Sequence, residues 1–129
     1  MQRREGNLCD RCVKRANSYP GVYLEKRYAG PGRKGRPDIT GAIHGRRVEL
    51  EAKIDDNTPT PIQKHWLKVW KDCGALAAAF WTDAEFNALV MPLIVSGGNI
   101  ASMLRLDDNW RPTAGYTDWY EGVFLKEAA

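Results

Sequence analysis

The stretch Gly35-Arg36-Pro37-Asp38-Ile39-Thr40-Gly41-Ala42-Ile43-His44-Gly45-Arg46-Arg47-Val48-Glu49-Leu50-Glu51-Ala52-Lys53 decides the fold, because it reads as two antiparallel strands around a tight turn. Residues 36–43 form the first predicted strand and residues 46–53 the second, with His44-Gly45 between them. Histidine is among the side chains enriched at positive φ, and glycine takes the second turn position without strain. Such a loop pairs Ile43 with Arg46, and counting back from that pair sets Asp38 directly opposite Glu51. Opposed strand residues hold their Cβ atoms about 4.5 to 5.5 Å apart. Two carboxylates that close repel each other, so the pairing is unfavourable unless a cation sits between them.

Alternation sorts the rest of the hairpin. Asp38, Thr40, Ala42, Arg47, Glu49, Glu51 and Lys53 fall on one face, and Ile39, Gly41, Ile43, Val48, Leu50 and Ala52 on the other. The second face predicts the core and fixes the register, since a slip of one residue would carry the acids into it. A surface hairpin with a solvated charged face is the plainer alternative. Pro37-Asp38, the register and Glu51-Ala52-Lys53 agree independently in favour of a site.

Upstream of the hairpin, Lys26, Arg27, Arg33, Lys34 and Arg36 lie in a stretch without an acid, interleaved with Gly30, Pro31, Gly32 and Gly35. Clustered cations gain from counterion release on a phosphate backbone, and glycine permits close approach, so these five are the candidate DNA-binding residues. Downstream, Asp55-Asp56-Asn57 is a polar turn. Thr60-Pro61-Ile62-Gln63 then opens a helix, with Thr60 as N-cap, Pro61 at the first helical position and Gln63 completing a capping box. Ile62, Trp66, Val69, Trp70 and Cys73 make its expected apolar face, and Gly74 ends it. Ala75-Leu76-Ala77-Ala78-Ala79-Phe80-Trp81 suits a strand buried on both faces. A return through a helix makes that strand parallel to the Glu51 strand. The expected fold is therefore α/β, with a central mixed sheet flanked by helices.

Residues 2 to about 17 read as a helix with Leu8, Cys9, Cys12, Val13 and Ala16 on one stripe. Glu5 lies on that stripe, where an acid needs a partner, and is the candidate third carboxylate, acting through water; a favourable charge in the first helical turn is the alternative. Residues 22–27 read as a strand after the turn Ser18-Tyr19-Pro20-Gly21. Cys9-x-x-Cys12 has no second Cys/His pair to complete a zinc site, and three cysteines are an odd number that argues against a secreted disulfide framework. Thr82-Asp83 caps a short helix expected to run to Met91 and stop at Pro92, with a short strand at residues 93–95, a turn at Gly97-Gly98 and an ambiguous element at residues 100–106. Trp110, Tyr116, Trp119, Tyr120 and Phe124 form an aromatic segment suited to covering the core, to a dimer surface or to stacking on bases, with core packing the first expectation.

The 129 residues read as one domain, and 43% hydrophobic with 27% charged residues is the balance of a soluble globular protein. The net charge of +3 is modest, so any affinity for nucleic acid must come from where the cations lie. No apolar run reaches the length of a membrane span, and Met-Gln-Arg-Arg-Glu is followed by no signal-peptide apolar region; the expectation is a cytoplasmic protein.

Gly35-Arg36-Pro37-Asp38, the hairpin, Glu51-Ala52-Lys53 and the Thr60-Pro61-Ile62-Gln63-Lys64 helix start ahead of Gly74 resemble the VRR-NUC family of the PD-(D/E)xK nuclease superfamily. The resemblance covers residues 5–82; residues 83–129 would be a C-terminal extension completing the fold or forming a dimer surface. It implies a restriction-endonuclease-like core and a Mg²⁺- or Mn²⁺-dependent DNA endonuclease that is structure-specific and Holliday-junction-resolvase-like, acting as a homodimer on branched DNA. Asp38 and Glu51 would be metal ligands, joined by the Ala52 backbone carbonyl and by Glu5 through water. Lys53 would be the catalytic lysine and Gln63 the glutamine of the following helix. Independently of the family, a hard dication prefers carboxylate, water and phosphate oxygens, and Lys53 shares the face of Glu51. A less selective DNA nuclease that trims ends or degrades foreign DNA is the first alternative, and a catalytically idle DNA-binding or inhibitory module the second.

Overall fold

The computed structural model describes residues 3–28, 34–99 and 105–113. In chain order, α1 (Arg3–Ala16) leads to β1 (Val22–Lys26), β2 (Ile39–Ile43), β3 (Arg46–Ala52), α2 (Pro61–Asp72), β4 (Leu76–Phe80) and α3 (Asp83–Val95). The strands form one four-stranded mixed sheet in the order β1-β2-β3-β4, antiparallel at the first two junctions and parallel at the third. The hairpin turn is as expected, with His44 at φ 47° and Gly45 at φ 82°. The parallel β3–β4 pair follows from the crossover through α2.

Helices cover both faces. Leu8, Cys9, Cys12 and Ala16 of α1 and Phe86, Leu89 and Leu93 of α3 pack with Ile39, Ile43, Val48, Leu50, Leu76 and Phe80 into one buried core. This is the hairpin face expected to be apolar. Burial raises the Cys12 thiol to about 11 and Cys9 still further, so both remain protonated and behave as small hydrophobes. On the other face lies α2, with Ala77 and Ala79 of β4 in register with Glu49 and Glu51 of β3.

Two expectations are corrected. The apolar stripe of α2 is not its buried face: Leu67 is the buried residue, Trp66, Val69 and Trp70 are half-buried, and Ile62 and Cys73 are exposed. The sheet surface beneath this helix carries carboxylates, arginines and a lysine, so the tryptophans lie against arginine side chains instead of entering an apolar layer. Secondly, Pro92 does not stop its helix, and residues 93–95 are not a strand but its continuation. Helix α3 is buried at Phe86, Ala88, Leu89, Val90, Met91 and Leu93, and that burial outweighs one lost helical hydrogen bond. The Pro92 carbonyl accepts from Ser96 at 3.0 Å, and Gly97 and Gly98 turn the chain at positive φ.

Both sheet edges are guarded. Asn17 donates to the Leu24 carbonyl and accepts from its amide, each at 2.8 Å, imitating a neighbouring strand on β1. At β4, Ala79 donates to the Trp110 carbonyl at 2.8 Å, and residues 105–113 fold back through the Leu106–Pro112 bridge. The remainder of the expected element at residues 100–104 and Tyr116, Trp119, Tyr120 and Phe124 lie outside the described residues. No helix among the described residues is long and apolar enough to cross a membrane.

Candidate active site

The paired register runs from Ile43–Arg46 to Ile39–Leu50, and Asp38 and Glu51, the next positions in the hairpin count, lie just beyond its last pair. Asp38 stands just before β2 and is anchored twice: its carbonyl accepts from Arg27 at 2.6 Å, and its Oδ2 accepts from the Ala52 amide at 3.0 Å. Its carboxyl lies within hydrogen-bonding reach of Glu51. Glu51 is only 2% exposed. Its Oε1 accepts from Gln63 at 3.1 Å and lies 4.0 Å from the Lys53 ammonium. Its Oε2 is buried without any hydrogen-bond partner.

The electrostatic consequence is large. Burial, then the Asp38 charge, push the Glu51 carboxyl up to about 10, and Lys53 opposes the shift. Asp38 is raised too, chiefly by burial, while the Ala52 amide pulls it back. Without a cation the folded site favours the protonated form of Glu51. Lys53, 8% exposed, is buried beside them.

Glu49, two residues earlier on the same face of β3 and 0% exposed, is a different case. It accepts from Arg27 at 3.0 Å, from Arg47 at 2.9 Å and from the Thr40 hydroxyl. Its charge is matched and its oxygens are occupied. The spacing Arg47-x-Glu49 was a legible signal for part of this clamp; Arg27, far away in sequence, was not.

Glu5 is buried at 8% exposure, and its charge raises both Asp38 and Glu51. It does not close with them into a direct three-ligand group: among the described residues no cluster of three or more His, Cys, Asp or Glu side chains is arranged to hold a metal. Gln63 does double duty, accepting from the Thr60 amide at 2.9 Å in the capping box while donating to Glu51. The amide and carbonyl of an extended residue point to the same side of its strand, so the amide of Ala52 on Asp38 turns its carbonyl the same way.

The residues present fit a small, hard dication on two observations. A buried oxygen of Glu51 has no hydrogen-bond partner while a second carboxylate lies close to the same side chain, and the donor set is all oxygen. A dication would relieve the like-charge conflict and fill the orphaned acceptor.

The five basic candidates separate. Arg27, with its side chain 15% exposed, donates to Glu49 and to the Pro37 carbonyl, which withdraws it from any nucleic-acid surface. Lys26 pairs with Asp10 at 3.0 Å. Lys34 is exposed, Arg36 lies on the Trp66 ring, and Arg33 is outside the described residues. The Arg36–Trp66 stack had no sequence signal, because its members are separated by two strands and a helix start.

Comparison of the chain with family models, with curated proteins and with solved structures returned no match. The site's chemistry therefore rests on its own geometry.

Proposed function

We propose that the chain is a metal-dependent DNA endonuclease of the VRR-NUC type within the PD-(D/E)xK superfamily, hydrolysing phosphodiester bonds in branched DNA as a homodimer. The observation that carries this reading is the close pair Asp38 and Glu51, the latter buried with one oxygen unpartnered, beside the buried ammonium of Lys53. Asp38, Glu51 and the Ala52 carbonyl would hold Mg²⁺ or Mn²⁺, with Glu5 acting through water. Bound there, the ion supplies Lewis acidity toward a phosphoryl oxygen and lowers the pKa of water.

The remaining work falls to the side chains. Lys53 offers N–H donors to the attacking water and to a nonbridging oxygen as negative charge grows, in a setting with little competing solvent. Gln63 fixes the Glu51 carboxylate by its hydrogen bond to Oε1, which leaves Oε2 unpartnered. Lys34 and Arg36 draw in the phosphate backbone. Cutting both strands of a symmetric junction needs two such sites, and the chain supplies one, which is the reason for the dimer.

The test is a panel of linear, flapped and four-way DNA and an RNA duplex, incubated with Mg²⁺, Mn²⁺ or chelator. Metal-dependent cutting of branched DNA, absent in Asp38→Ala, is expected. Equal cutting of every DNA form would favour the unselective nuclease, binding without cutting would favour the idle module, and unchanged cutting by Asp38→Ala would remove the carboxylate pair from the chemistry.

A further inference from the structure

Two tryptophans stand one turn apart on α2, and each carries an arginine against its ring. The guanidinium carbon of Arg36 lies 3.5 Å from the Trp66 ring centre, and that of Arg47 lies 4.4 Å from Trp70. The stacks differ in what the guanidinium edge meets. Arg47 donates to Glu49 at 2.9 Å and to Thr40 at 3.0 Å, so its fork is occupied. Arg36, among the described residues, has the indole as its partner and no hydrogen bond or ion pair.

The chain around Arg36 is seated firmly. Gly35 rests on the start of α2 at φ 79°, where an added Cβ would come within 2.8 Å of Ile62 Cγ1. Pro37 is buried, its carbonyl accepts from Arg27 at 2.8 Å, and Asp38 follows directly. The first two turns of α2 that hold this segment also deliver Gln63 to Glu51. An unfilled planar cation and the carboxylate pair are thus set by the same stretch of helix. Such a fork lacks only an acceptor of matching shape, and phosphate is one.

We propose that Arg36, held in plane by Trp66, receives two oxygens of one phosphate neighbouring the scissile one, and that Trp66 is the positioning residue for this contact. The inference rests on the nuclease reading of the carboxylate site. Stacking on the indole removes rotamer freedom that binding would otherwise have to remove. A lysine in the same place keeps the charge and loses the fork.

The experiment is a methylphosphonate scan: substrates carrying a single neutral linkage at successive positions around the cut, assayed with the full chain for cleavage and, in chelator, for binding. In the wild type one position besides the scissile one is expected to lower kcat/KM about tenfold or more, the scale of a charge-assisted contact. Arg36→Ala should lose that activity and show no further sensitivity at that position. Arg36→Lys should match Arg36→Ala there while keeping the wild-type salt slope, Trp66→Leu should behave like Arg36→Lys, and Trp66→Phe should retain most activity. Full activity in Arg36→Lys, or a scan profile in Arg36→Ala identical to the wild type, overturns this proposal and leaves the nuclease reading standing. A wild-type chain that neither binds nor cuts any nucleic acid overturns both.

Discussion

Glu49 and Glu51 sit two residues apart on one face of one strand, each effectively inaccessible to water, yet their surroundings treat them oppositely. On the β4 side both meet alanine, Ala77 and Ala79. The difference comes from β2 and the residue before it: Glu49 faces Thr40 and gathers two guanidinium groups, whereas Glu51 has another acid, Asp38, within hydrogen-bonding reach. Burial by itself therefore does not mark a reactive carboxylate. The mark is burial with an unmet electrostatic demand, which a structural network removes and a binding site keeps.

Neutralising each acid in turn is the strongest way to break this comparison. Glu51→Gln is expected to lower metal-dependent cleavage by about a thousandfold, since the stabilisation a metal gives to transition-state charge amounts to several kcal/mol. Glu49→Gln, assayed well below its melting temperature, should stay within about tenfold of wild type, because its role is to hold Arg27 and Arg47. Equal losses in the two variants would show that Glu49 belongs to the chemistry.

Stability should invert the order. Removing the charge of Glu49 leaves the half-buried Arg27 guanidinium beside an uncharged amide, and the expected cost is about 3 kcal/mol, the low end for breaking a buried pair. Glu51→Gln puts a permanently neutral side chain where the metal-free fold already favours the protonated acid, and should be neutral or stabilising in metal-free protein. Urea denaturation of both variants checks this, and a destabilised Glu51→Gln beside an unaffected Glu49→Gln would reverse the assignment.

What the sequence made legible follows the range of the interactions. The turn, the hairpin register from Ile43–Arg46 to Ile39–Leu50, the capping box and the parallel crossover are all set by residues near one another in the chain, where side-chain period and turn chemistry are decisive. The Arg27–Glu49 clamp and the Arg36–Trp66 stack were hidden because they join segments that only the tertiary fold brings together. The buried face of α2 was misread for the same reason. Its periodicity is real, but which stripe is covered depends on the surface it meets, and that surface is charged. Pro92 was misread because local propensity was weighed without the burial of the whole helix.

The contrast sharpens along the pH axis. Glu51 in the folded chain is raised from 4.5 to about 10, so between those values the folded state binds a proton that the unfolded state has released. Its contribution to stability is fully present below pH 4.5 and is lost as the pH rises toward about 10. Metal-free protein should therefore show a melting temperature that falls with rising pH across this window, and Glu51→Gln should flatten the slope. Mg²⁺ would compete with the proton on Glu51, so its affinity should rise with pH, as calorimetry with proton-release measurement would detect. A pH-independent metal affinity would mean that the ion binds elsewhere.

Gln63 connects the site to the fold, and its two hydrogen bonds can be separated. Gln63→Ala removes both the capping-box acceptor and the donor to Glu51, and should cost about 1 kcal/mol of stability besides activity. Gln63→Glu keeps an acceptor for the Thr60 amide, so the helix start should survive, but it replaces the amide donor with a third carboxylate against Glu51. The expected result is wild-type helix content with cleavage lowered about tenfold, the scale at which partners orienting a metal ligand act. If Gln63→Glu cleaves normally, the glutamine is a cap alone, and Glu51 is oriented by Lys53 and its own strand.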